Sequence, residues 1–175
     1  FFMLGAYLGV TFLRLGFNFW IAAILAALVL ALVGGLIERL LLRRLAGQEL
    51  AQVLVTLGLS FMLADICLLI WTGDPIPLPT PESLRGVVRI GDVVFPRYRI
   101  AVVVIAVFVA LVLWLILDRT RLGAMIRAGV DDPQMARVTG IRVSRLFTVV
   151  FSLGAALAGL GGVLAGPILS VFPGL

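Results

Sequence analysis

The sequence predicts an all-α protein, a polytopic transmembrane helical bundle, and three observations carry that prediction. Of 175 residues, 62% are hydrophobic and 13% are charged, where soluble domains average about 45–50% and about 25%. Mean hydropathy is +1.21. Residues 15–37 run without an ionisable group, residues 50–72 contain only Asp65, and residues 100–117 contain none. A helix needs roughly 20 apolar residues to cross the hydrocarbon core. Each of these stretches is near or above that length.

Taken in order, the chain reads as five apolar segments: 1–13, 15–37, 50–72, 100–117 and 146–172. The first is too short to span alone and opens on Phe1 without an initiator Met, and Leu175 follows closely on the last. The expectation is therefore a fragment, incomplete at both ends, with about five membrane segments. A tight turn around residues 14–18 joins the first two. The loop 38–49 carries Arg39, Arg43 and Arg44, and the loop 118–145 carries Arg119, Arg121, Arg127, Arg137, Arg142 and Arg145. If the helices alternate, these nine arginines share one side, and Arg14, Arg85, Arg89, Arg97 and Arg99 lie on the other. Excess positive charge marks the cytoplasm, so loops 38–49 and 118–145 are placed inside and the loop 74–99 outside.

The outer loop divides in two. Pro75, Pro77, Pro79 and Pro81 alternate, which favours an extended segment. Two short β-rich runs, 87–90 and 93–95, then flank Gly91–Asp92, a turn pair suited to a hairpin. This loop is read either as a small cap tying two helices together or as a docking surface for an extracytoplasmic partner. In the last segment Gly154, Ala158, Gly162 and Gly166 recur every four residues, with Ala155 and Gly159 alongside. Small residues let helix backbones approach closely in lipid, so helix packing is the reading for this stripe. Pro167 is expected to end or kink that helix, since it lacks a backbone donor.

Composition excludes several chemistries. The sequence has no His and one Cys, Cys67, which removes zinc and haem ligation, internal disulfides and His-activated nucleophiles. All 14 basic residues are Arg, so no P-loop lysine is present to reach nucleotide phosphates. The arginines sit in loops between apolar spans, where they set topology and point to a lipid bilayer, not nucleic acid. No catalytic residue, metal site or bound cofactor is expected, and the chain is not read as an enzyme.

The stretch 131–140, DDPQMARVTG, carries the most specific signal. Asp132 is a natural N-cap, Pro133 suits the first helical position and Gly140 suits the left-handed residue beyond a helix end. These signals predict about two turns of helix over 133–139, flanked by Asp131. So short a helix is marginal alone, which implies that it docks against something. Gln134–Met135–Ala136, three residues and Gly140 also keep the spacing of the E-A-A-x-x-x-G loop in ABC-importer membrane subunits, with Gln–Met in place of Glu–Ala. Around it, residues 120–167 resemble the permeases of branched-chain amino-acid uptake systems (LivH-like), as do FMLGAY at 2–7 and LVTLGLSFMLAD at 54–65. Together these motifs touch most of the chain.

The resemblance implies an inner-membrane permease domain over 1–175 that translocates leucine, isoleucine or valine. It implies a second, LivM-like permease, two ABC ATPase subunits that bind the ATP, and an extracytoplasmic solute-binding protein. Asp131, Asp132, Pro133, Gln134, Met135, Ala136, Arg137 and Gly140 would then form the ATPase-coupling loop within the cytoplasmic segment 118–145. Exchanging Glu for Gln134 keeps hydrogen bonding but loses a charge for pairing with an ATPase arginine.

Asp65 is an ionisable residue inside a span and so a functional candidate by default. Its bland alternative is a carboxylate bonded to a neighbouring helix or reaching interfacial water. Gln52, Thr56 and Ser60 fall at i, i+4 and i+8 on another face of the same helix. They either line a pathway or bond across helices. Alternatives of cargo and class are a urea or short-amide importer permease and an ion-coupled secondary transporter, the latter leaving the capped cytoplasmic helix without a role.

Overall fold

The computed structural model describes residues 1–45, 47–71, 76, 78–81, 84–90 and 93–169. Among the described residues, seven helices and one hairpin follow in chain order: α1 (Phe2–Arg14), α2 (Phe19–Leu40), α3 (Glu49–Trp71), β1 (Val87–Ile90), β2 (Val93–Pro96), α4 (Arg97–Arg119), α5 (Arg121–Asp131), α6 (Pro133–Val138) and α7 (Val143–Leu169). A 3-10 turn, Leu42–Leu45, lies between α2 and α3. Among the described residues four helices are long and apolar enough to cross a membrane, and α1 is a shorter apolar helix. In hydrocarbon every backbone donor and acceptor must be satisfied within the segment, which is why these runs become helices whatever their intrinsic propensities.

The boundaries differ from the apolar runs where polar residues find local partners. α1 ends in a Schellman motif: the Gly16 amide donates to the Leu13 carbonyl at 3.0 Å and the Phe17 amide to that of Phe12 at 3.2 Å. Gly16 has φ +89°, a conformation a side chain resists. The 15–37 run therefore starts helical at Phe19. At its other end α2 continues through Glu38 and Arg39, which the sequence reading assigned to a loop; Glu38 is buried and has a partner on α7. Arg97 and Arg99, expected in the outer loop, belong to the first turn of α4. The chain can turn helical there because Pro96 has no amide to satisfy, while the Arg97 amide donates to the Gly86 carbonyl at 3.0 Å.

The hairpin strands pair antiparallel, Val87 opposite Pro96 and Ile90 opposite Val93. The expected turn residues Gly91 and Asp92 fall outside the described residues, as do Pro75 and Pro77 of the proline alternation. The segment 118–145 holds two helices, α5 and α6, where one was expected. α7 runs two residues past Pro167, so the helix does not stop at that proline. The missing amide of Pro167 forfeits a single bond, to the Val163 carbonyl.

The chain forms two compact units, 1–79 with 148–175, and 80–147. In the first, α2 buries Phe19, Ala22, Ala23, Ala26, Leu30, Gly34 and Glu38, a stripe at three- and four-residue spacing. The body of α7 faces α2 in antiparallel order: Gly159 meets Leu30, Ala155 meets Gly34, Ser152 meets Gly35, and Thr148 meets Glu38. α1 crosses α7 with Gly5 on Gly159 and Phe2 on Gly162. In the second unit α5 folds onto the end of α4, and the first turn of α7 packs on α5. α3 buries only Cys67 and α4 only Tyr98.

Candidate functional site

Helix α6 is fixed at both ends by its own sequence. The Asp132 carboxylate accepts from the Gln134 amide at 2.9 Å and the Met135 amide at 3.0 Å, satisfying two of the donors a helix start leaves open. Pro133 occupies the first turn. At the other end the Ile141 amide donates to the Ala136 carbonyl and the Gly140 amide to the Arg137 carbonyl, each at 3.0 Å. Gly140 sits at φ +85°, completing a second Schellman motif. The Thr139 hydroxyl donates to the Ala136 carbonyl at 2.9 Å. Of the six helical residues, Ala136 alone is buried. Met135 and Val138, three residues apart on one face, are 64% and 82% exposed. Asp131, Gln134 and Arg137 are exposed around them. What the arrangement offers is a rigid, short knob with an apolar pair at its surface and polar groups at its rim.

The polar positions of α3 do not converge. Gln52 is half-buried, while Thr56, Ser60 and Asp65 are exposed. At about 100° per residue, Asp65 lies roughly 140° round the helix from Ser60, so the carboxylate and the hydroxyl stripe belong to different faces. The Thr56 hydroxyl is engaged by its own helix, donating to the Val53 carbonyl at 2.9 Å.

The small-residue stripe is divided. Gly162 lies against the Phe2 backbone and Gly166 against Leu78, whose Cδ1 would stand 2.9 Å from an added Cβ. Ala158 is half-buried, and Gly154 has open space beside it. A four-residue spacing drifts by about 40° per step on a 3.6-residue helix, so the four positions sweep about 120°, and in α7 they meet different surroundings. The buried seam is Ala155, Gly159, Gly162, Val163 and Gly166. Leu78, in the proline-alternating segment, is buried on this seam.

Two clusters escaped the sequence reading. Glu38 is only 7% exposed and is the one buried charged side chain among the described residues; the Thr148 hydroxyl donates to its carboxylate. The i, i+4 run Ala26, Leu30, Gly34, Glu38 was a legible signal that the acid continues a packing face. In the second cluster the Tyr7 and Trp71 rings stack at 5.0 Å. The Trp71 indole donates to the Thr11 hydroxyl at 3.1 Å, and that hydroxyl donates to the Tyr7 carbonyl at 3.0 Å. These contacts join α1 to α3 over residue separations that no local pattern reveals.

With this geometry in view, the comparisons with known proteins are specific. The family model "branched-chain amino acid transport system / permease component" matches residues 1–174. The high-affinity branched-chain amino acid transport permease BraD of Pseudomonas aeruginosa is 29% identical over 151 residues, 83% of this chain and 49% of the relative. LivH of Salmonella typhimurium, a permease of the same description, is 27% identical over 150 residues, again 83% and 49%. The fructose import permease FrcC of Rhizobium meliloti is 37% identical over 86 residues, 49% of this chain and 23% of that one. No solved structure matches. The chain spans about half the length of the branched-chain permeases it matches. It is a multi-pass helical membrane protein and belongs to the branched-chain amino acid transport permease family.

Proposed function

We propose that the chain is part of the translocation subunit of an ABC importer in the inner membrane, with branched-chain amino acids as cargo. The observation that carries this reading is α6. An exposed Met135–Val138 pair, on a helix capped at both ends and placed between a span and the next, is suited to a partner protein at the membrane face. That partner would be an ABC ATPase, which supplies the ATP site; a second permease subunit and an extracytoplasmic binding protein complete the assembly. In this scheme ATP binding moves the ATPases, α6 moves with them, and α7, which begins five residues after α6, passes the displacement into the membrane. A ligand thereby biases a two-state element. The apolar, nearly charge-free spans suit leucine-like cargo, with few polar groups for its ammonium and carboxylate. Gln52, Thr56, Ser60 and Asp65 are the candidate polar positions.

The test is uptake of labelled leucine by proteoliposomes holding the full-length protein, its partner permease, the ATPases and the binding protein. ATP-dependent uptake competed by isoleucine and valine, and not by urea or fructose, is the expected result. ATP-dependent uptake of urea or a sugar would discard the cargo and keep the coupling scheme. Uptake driven only by an ion gradient would discard the scheme. Independently, Met135→Cys in a Cys67→Ser background should crosslink to the ATPase, and failure with linkers of several lengths would remove α6 from that interface.

A further inference from the structure

α5 has a composition that the coupling scheme does not use. It is a strongly amphipathic helix of 11 residues, RLGAMIRAGVD. Projected at about 100° per residue, Met125, Leu122, Ile126 and Val130 occupy a single face roughly 140° wide. Arg121 and Arg127 stand one on each border of that face, and Asp131 lies opposite its centre. Leu122 is 46% and Val130 64% exposed, while Met125 and Ile126 are half-buried and Gly129, inside the same arc, is buried, so the open part of this face is the side that carries Leu122 and Val130.

The fold also fixes the height and direction of the helix. α4 has 23 residues, about 34 Å of helix, against roughly 30 Å of hydrocarbon, so its end lies in the headgroup layer. α5 begins two residues later and is held to that end. The missing side chain of Gly123 lets its backbone meet the Leu117 carbonyl, and the Arg127 guanidinium donates to the same carbonyl at 2.5 Å. On another side, Gly129 packs on Leu146 and Val143 of α7, the next span, with Leu146 Cδ2 3.2 Å from an added Cβ. The open strip Leu122–Ile126–Val130 falls, by helical angle, between the strip touching α4 and the strip touching α7. α4 rises from its contact with α5 into the bilayer, so the strip beside that contact lies along the membrane surface.

We propose that α5 is an interfacial helix that seats Leu122, Ile126 and Val130 at the headgroup–acyl boundary of an anionic lipid leaflet. Amphipathic helices with arginine-bordered apolar faces bind there through buried area and attraction to anionic headgroups. Arg121 supplies that attraction at one border. Arg119, beside it in sequence, is partly neutralised by Asp118 at 3.6 Å. The inference needs only that α4 and α7 cross the membrane; it does not depend on cargo or on an ATPase.

The experiment uses the full-length protein with Cys67→Ser and single cysteines at Val130 or, on the polar face, Ala124. Both native residues are exposed, so the substitutions leave packing intact, and Leu122 offers a second apolar position. An environment-sensitive fluorophore is attached and the protein reconstituted in phosphatidylcholine, with or without phosphatidylglycerol. The Val130 label should be quenched by lipids carrying a nitroxide near the headgroup and protected from aqueous iodide, more so with phosphatidylglycerol; the Ala124 label should behave oppositely. Arg121→Gln should shift the immersed-to-exposed ratio about fivefold toward exposed in the anionic vesicles alone. Iodide access at Val130 in both lipids would overturn the proposal. So would immersion indifferent to lipid charge, or protection that appears only when ATPase subunits are added.

Discussion

The α1–α7 crossing allows a graded test of how closely the two backbones meet. An alanine at Gly5 would place its methyl on the Gly159 backbone, with the carbonyl carbon 2.7 Å away. Neither a carbonyl nor a Cα can rotate aside, so α1 must withdraw along the whole crossing, where a gap of even 0.5–1 Å forfeits about a quarter to a half of each contact's attraction. Overpacking costs about 1–3 kcal/mol, and Gly5→Ala belongs at the upper end, about 3 kcal/mol. At Gly9 the obstacle is the Val163 side chain, Cγ2 at 2.9 Å and Cγ1 at 3.0 Å. Small side-chain shifts relieve it, for about 1 kcal/mol. At Gly154 nothing lies within 4 Å, so alanine should be neutral or gain up to about 1 kcal/mol of helix propensity. The span from Gly5 to Gly154 is then about 3–4 kcal/mol, between two and three orders of magnitude in the folding constant. Trp71, stacked on Tyr7, reports the α1–α3 contact, so its emission in a Trp20→Phe, Trp114→Phe background would follow unfolding in mixed micelles. Equal stability of Gly5→Ala and Gly154→Ala would refute the close crossing, and with it the division of the glycine stripe.

Three further outcomes are expected. Glu38→Gln keeps an acceptor for Thr148 and should cost under about 1 kcal/mol, while Glu38→Ala should cost about 1–2 kcal/mol in the same unfolding assay, the range of hydrogen bonds between helices in membranes. Asp132→Ala removes both cap bonds of α6 and should cost about 1 kcal/mol, seen as about fivefold faster hydrogen exchange at the Gln134 and Met135 amides; Asp132→Asn should restore protection. Gly140→Val places a β-branched residue at φ +85°, costing about 1–2 kcal/mol, and should release ATP hydrolysis from uptake in the reconstituted complex. Coupled uptake at the native ratio would argue against α6 as the docking element.

How much of this was legible depends on the range of the forces involved. α6 could be read directly because Asp132, Pro133 and Gly140 act on backbone groups within a few residues, and no distant partner can easily override a cap. The spans were legible because bilayer thickness imposes a length. What failed was anything set by a partner far away in sequence. Glu38 can be read as continuing the Ala26, Leu30, Gly34 run, but its donor, Thr148, lies 110 residues on and has no local signal. Gly154 looks equivalent to Gly162 until the angular drift of a four-residue spacing is followed round α7. α5 was missed for a different reason: glycines at 123 and 129 weaken a helix by about 1 kcal/mol each, and only contact with Leu117 and Leu146 shows why glycine is needed there. Those same two glycines seat α5 against the ends of α4 and α7. Local propensity is therefore lost at the positions that set how α5 meets the membrane.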